Sequence, residues 1–250
     1  MIACLRGFRA ACLFLTRVPV AGGPYSDAEW RWSSGWFPAV GALIGLPMAL
    51  VFHALLPLGA IFASVMVVSA SMLLTGGFHE DGLADTADAM GGSFDRDRLF
   101  VILKDSRLGA FGAMALFAVL LGKVVLISRV QEVFAVFILS QSLSRMFPIW
   151  LMVRLPYVTS DEASKSRRVT RAGMLQGILA TIVPLSLSAG FWVCGWIEIA
   201  PIGYAWLCGV LLMFICAWRF VVRAGGITGD FLGATQQITE IGILAALVWP

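Results

Sequence analysis

Long apolar runs separated by short polar segments set the pattern of this chain. Seven of them approach the ~20 residues that cross a bilayer as a helix: 36–56, 60–78, 108–128, 134–153, 174–196, 201–218 and 232–249. The last is the least apolar, because it carries Gln236, Gln237 and Glu240. Pro57-Leu58-Gly59 joins the first two as a tight hairpin. The pattern predicts an all-α, polytopic membrane bundle of about seven transmembrane helices, with residues 1–250 forming one membrane-embedded domain. At the N-terminus, Arg6 and Arg9 flank a short apolar stretch that Thr16-Arg17-Val18-Pro19 interrupts. No small-x-small cleavage pattern follows cleanly, so this reads as a retained, membrane-associated segment.

Composition sharpens the class. Hydrophobic residues make up 59% of the chain and charged ones 13%, about half the ~25% usual in soluble domains. A water-soluble fold could not hide that much apolar surface. The net charge of +3 is too small for a general polyanion or nucleic-acid binder. The five cysteines lack CxxC spacing and sit in apolar segments, which predicts reduced packing residues. With the N-terminus in the cytoplasm and spans alternating, only Arg129 among the 18 Lys and Arg falls outside, with Lys123 and Arg145 inside spans. The positive-inside rule is then strongly satisfied.

Two polar segments, 79–107 and 154–172, are long and face the cytoplasm in that arrangement. The second is basic and predicts a solvated loop beside anionic headgroups, or a surface that recruits an acidic substrate. The first holds the densest chemistry, His79-Glu80-Asp81-Gly82-Leu83-Ala84-Asp85-Thr86-Ala87-Asp88. On a helix, Asp81, Asp85 and Asp88 fall within about 60° of one another, and the end members are about 10 Å apart. One ion is not easily gripped from both ends. Two ions sharing Asp85 is the more natural arrangement, and paired Mg²⁺ suits phosphoryl chemistry. Oxygen ligands favour Mg²⁺ or Mn²⁺ over softer metals. An acidic solvent-facing helix end is the structural alternative.

Gly91-Gly92 breaks this helix, and Ser93 or Asp95 can cap a short interfacial one over 96–104. It leads into Lys104-Asp105-Ser106-Arg107, where Asp105 is a candidate ligand or base and Lys104 and Arg107 candidate phosphate binders. His79 is a further acid/base candidate, whereas His53 reads as a packing residue. Gly225-Gly226-Ile227-Thr228-Gly229-Asp230 is a second polar block. Thr228 or Asp230 can cap the final helix, whose N-terminus would then face a phosphate. Gln237 and Glu240, with Arg145, Lys123 and Asp105, could form a polar bundle interior, a functional candidate by position.

These stretches resemble the cobalamin synthase family, the adenosylcobinamide-GDP ribazoletransferases. The match runs in order through 14–19, 75–88, 104–109, Ser144-Arg145, and 225–234 with Glu240. One departure is Ala89, where the family usually has Gly. The resemblance implies that α-ribazole or its 5′-phosphate attacks the corrinoid-side phosphorus of adenosylcobinamide-GDP in the cytoplasmic membrane, with Mg²⁺, releasing GMP. It implies metal ligation by Asp81, Asp85 and Asp88. It implies catalytic roles for Asp105, His79, Arg107 and Lys104, and substrate binding by Arg145, Thr228, Gly229, Asp230, Glu240 and Arg17. Self-association, or assembly with other corrinoid-pathway enzymes, is compatible with it.

The acidic motif is distantly similar to that of CDP-alcohol phosphotransferases, but 89–95 lack the continuation those enzymes need. An intramembrane prenyltransferase would need a second Asp-rich block. An ion-coupled transporter would favour inverted repeats and midplane acids, and the acids here gather at one face.

Overall fold

The computed structural model describes residues 2–158 and 172–249. Among them are eleven α-helices: α1 (Ile2–Leu15), α2 (Asp27–Ser33), α3 (Phe37–Leu55), α4 (Ala60–Thr75), α5 (Phe78–Gly92), α6 (Arg96–Ile102), α7 (Ala110–Ile127), α8 (Val133–Arg154), α9 (Met174–Val193), α10 (Ile199–Ala224) and α11 (Gly229–Leu247). The all-helical membrane class follows directly. The basic segment 154–172 lies mostly outside the described residues.

Five stretches are long and apolar enough to span: 27–58, α7, α8, α9 and α10; a sixth counts if α4 and α5 are taken together. The expectation of seven does not carry over, for two physical reasons. After α4 the chain passes through Gly76 and Gly77, at φ +80° and +69°, a conformation open to glycine at little cost. The axis turns by 94°, so α5 runs across the direction of α4 and lies outside the spans. The seventh candidate, α11, buries Thr235, Gln236, Gln237, Thr239 and Glu240; it is a polar core helix.

α8 is the hub, with 78% of its apolar stretch buried against 17% to 28% for α7, α9 and α10. α3 lies close on it because Gly41 and Gly45 bring its backbone against Gln141 and Phe137. The outer faces of α7, α9 and α10 carry Phe117, Leu121, Leu185, Phe214 and Trp218, all exposed, as lipid-facing helices require. α1, at about 1.5 Å per residue, is too short to cross; it packs on α2, where Arg6 pairs with Glu29 at 3.0 Å. α2 starts on a Ser26–Glu29 capping box.

Candidate active site at the α5–α8–α11 junction

The acidic motif forms α5 as the spacing predicts. Its placement is decided by α11. At Gly82 a β-carbon would sit 2.9 Å from the Asp230 carbonyl oxygen, and Gly233 faces the His79 backbone. Only small residues at both positions let the two helices close to this distance. The contact sets Asp230 beside the acidic face of α5. Thr228 begins α11, its side chain accepting the Phe231 N–H at 3.3 Å. The turn before it is pinned to the end of α8: Ile227 N–H donates to the Pro156 carbonyl at 2.8 Å, and Val158 N–H to the Ile227 carbonyl at 2.9 Å.

The carboxylates form one electrostatic group. The Asp85 carboxyl is pushed up to about 6, by burial first and then by the like charges of Asp81, Asp230 and Asp88. Among the described residues, no Lys or Arg forms an ion pair with any of these four. Asp88 has a further role that the spacing does not show. Its oxygens accept the Gly109 N–H at 2.7 Å and the Gly112 N–H at 2.8 Å. It therefore caps α7 from a distance of over twenty residues in sequence. Among the described residues no three acidic, His or Cys groups are drawn into a closed cage for one cation.

A cavity of about 210 Å³ opens beside Asp81, between α1, α3, α5, α8 and α11. His79, Asp81, Arg145, Gly229 and Asp230 make its ionic wall; Phe14, Phe37, Phe78, Pro148 and Met152 make its apolar one. It is smaller than the ~300–1,000 Å³ typical of whole-ligand pockets. His79 is buried and stacks on Phe78 at 3.8 Å between ring centroids. His53, the other histidine, tilts against Phe134.

Behind the ionic wall lies a buried network. Glu240 accepts from Lys123 at 3.0 Å, from Gln141 Nε2 at 2.8 Å and from Gln236 Nε2 at 2.7 Å. Gln141 Oε1 in turn accepts from Arg145 at 2.6 Å. Gln237 links Lys123, Gln236 and Glu80. Lys123 and Glu240 thus pair directly, and amide side chains join Arg145 and Glu80 to them, as charges in a low-dielectric interior require. Among the described residues, two positions in the network stay open: Arg145, 3% exposed, has no partner at Nε, and Glu80 has none at Oε2.

The sequence-level set divides accordingly. His79, Asp81, Arg145, Gly229 and Asp230 line the cavity, Asp85 belongs to the same field, and Glu240 stands behind Arg145. The polar interior expected for Lys123, Arg145, Gln237 and Glu240 forms, but without Asp105. Asp105 sits in the α6–α7 loop, where Arg107 binds it through Nε and Nη2, at 2.6 Å for the closest pair. Those side-chain bonds, and then the Arg107 N–H, hold its carboxyl at about 2, so it stays ionised and paired with Arg107. Lys104 and Arg107 are exposed and do not line the cavity. Arg17 packs over Gly76 at the α4–α5 bend. Glu80, Gln141 and Gln236 escaped the sequence reading as network members. Only Gln141, one turn before Arg145, carried a signal.

The family model described as cobalamin-5-phosphate synthase matches residues 7–248. A protein named adenosylcobinamide-GDP ribazoletransferase from Polaromonas sp. is 37% identical, with 97% of this chain and 96% of that protein covered. Proteins of the same name from Vibrio cholerae and Shewanella amazonensis are 36% and 37% identical, with 96% of this chain covered in each case and 92% and 94% of theirs. No solved structure matches. The residues gathered at the α5–α11 contact thus stand in a chain that belongs to the cobalamin-5-phosphate synthase family.

Proposed function

We propose that this enzyme transfers the adenosylcobinamide-phosphate moiety of adenosylcobinamide-GDP to a ribose hydroxyl of α-ribazole or its 5′-phosphate. The ribose oxygen bonds to the corrinoid-side phosphorus as the bridging P–O bond breaks. GMP leaves with the bridging oxygen, and adenosylcobalamin or its 5′-phosphate forms. The observation that carries this reading is the cavity in which the buried Arg145 guanidinium, an imidazole and the carboxylates of Asp81 and Asp230 meet. Those groups are what displacement at a diphosphate needs.

His79, on the cavity wall, is held neutral by burial and then by the charges of Arg145 and Lys123, which keep its imidazole well below the usual range; in that neutral form the ring takes the proton of the attacking hydroxyl. Arg145 neutralises phosphate oxygens from the buried side. Lys104 and Arg107 meet the outer phosphates from the α6–α7 loop. The donor set fits a hard divalent cation: Asp81, Asp85 and Asp230 crowd one field with no basic side chain paired to them. Bound there, Mg²⁺ would offset the charge of the diphosphate and its leaving group. Asp88 holds α5 to α7 and so fixes the spacing of that set. The basic residues Arg96, Arg98, Lys104 and Arg107 around the site support a cytoplasmic face in the inner membrane.

The test is GMP release from adenosylcobinamide-GDP on adding α-ribazole to purified protein, with and without Mg²⁺, repeated on Asp81→Asn and Asp85→Asn. Mg²⁺-dependent release by the wild type and its loss in both variants is expected. Full Mg²⁺-dependent turnover by folded Asp85→Asn would remove the metal reading. Counterflow of labelled substrate in proteoliposomes without GMP release would make the protein a transporter.

A further inference from the structure

The ionic wall of the cavity is explained by diphosphate chemistry; the apolar wall is not. Phe37 and Phe14 stack with ring centroids 5.5 Å apart and planes 4° from parallel. Phe14 meets Phe78 edge-on at 5.8 Å, and Phe78 lies over His79. A series of π faces therefore leads from α3 through α1 to the first residue of the acidic motif. Pro148 and Met152 of α8 line the same cavity. Phe37 is 5% exposed, while Phe14 and Phe78 are half-buried, so the latter two offer area to an incoming group.

We propose that this aromatic wall is the subsite for the planar base of the acceptor nucleoside, with its ribose directed at His79 and Asp81. The proposal rests on the transferase reading above and names which part of which substrate enters the cavity. Size and polarity choose among the three candidates. A corrin macrocycle cannot enter about 210 Å³. Guanine carries hydrogen-bonding groups around its edge, and a wall of Phe, Pro and Met leaves them unpaired on burial. The base of α-ribazole is dimethylbenzimidazole, flat and largely apolar, with two methyl groups and one free ring nitrogen. It loses little by leaving water and gains from ring stacking and from sulfur contact with Met152. A base seated there sends its ribose toward the ionic wall, where His79, Asp81 and Arg145 line the cavity. The corrinoid half then stays outside the cavity.

Steady-state GMP release separates the two substrates' kinetics. Phe14→Ala and Met152→Ala should each raise the KM for α-ribazole by roughly tenfold or more while changing the KM for adenosylcobinamide-GDP by less than about twofold. Phe14→Leu keeps apolar bulk without the π face and should fall between. Free dimethylbenzimidazole should compete with α-ribazole and guanosine should not. Calorimetric binding of α-ribazole to the wild type, without corrinoid, reads the same subsite independently of turnover. Weakened binding in Phe14→Ala supports the assignment even if GMP release fails, which would instead refute the transferase reading. Unchanged α-ribazole affinity in folded Phe14→Ala and Met152→Ala overturns it. So does a selective rise in the KM for adenosylcobinamide-GDP. Parallel loss of thermal stability with both KM values raised alike would make the wall structural and would also overturn it.

Discussion

Replacing Glu240 by Gln removes the one carboxylate that meets Lys123 in the bundle core. Glu240 is 3% exposed and Lys123 4%, and three donors converge on its two oxygens at 2.7 to 3.0 Å. The substitution keeps the shape but leaves the ammonium with neutral amide oxygens alone, Gln237 Oε1 at 2.7 Å among them, and no counter-charge. Breaking one side of a buried pair costs about 3–5 kcal/mol. For a chain of this size, about 2–4 °C in Tm accompanies each kcal/mol, so a fall of roughly 6–20 °C is expected for detergent-solubilised protein. The consequence extends to the site. Gln141 donates to Glu240 with one end of its amide and accepts from Arg145 with the other. Glu240 thereby fixes which way Gln141 faces, and through it where Arg145 sits. Lost orientation should weaken phosphate binding as well as stability. Thermal unfolding of Lys123→Met, Glu240→Gln and the double variant separates the contributions. The double variant should recover most of the loss, because the stranded charge is gone. A Tm within about 2 °C of wild type in Glu240→Gln, or additive losses in the double variant, would refute the reasoning.

Asp88→Ala should lower stability by roughly 2 kcal/mol, since two backbone N–H groups of α7 lose a charged acceptor, whereas Asp81→Ala, on the exposed side of α5, should leave Tm nearly unchanged; equal thermal shifts would refute the capping role. Mg²⁺ binding, followed by calorimetry, should weaken as pH falls through about 6. Asp85 is ionised above that value and binds a proton below it, so proton and metal compete; affinity that stays level from pH 7 to 5 would place the ion elsewhere.

The apolar runs, the Asp spacing and the breaks at Gly91-Gly92 and Gly225-Gly226 are local properties; five of the runs became spans, and the Asp spacing produced the helix it predicts. Period and length alone determine a membrane helix, the common face of Asp81, Asp85 and Asp88, and the caps at Asp95 and Thr228. Side-chain identity also marked Arg145, Lys123 and Glu240 as costly to bury and so as partners of one another. Three-dimensional packing decided what these features became. A 94° bend at two glycines laid α5 across the bundle. Small residues at Gly82 and Gly233 drew Asp230 to the acidic face from almost 150 residues away. Asp88 faced backbone amides that only the arrival of α7 could supply, and Arg107 paired with Asp105 in the α6–α7 loop, apart from the polar interior. The aromatic wall belongs to the same class, because Phe14, Phe37 and Phe78 are ordinary apolar residues of three separate helices. Hydrophobicity is additive along a chain and legible there. Proximity between charges, amides and rings on different helices is set by how those helices close.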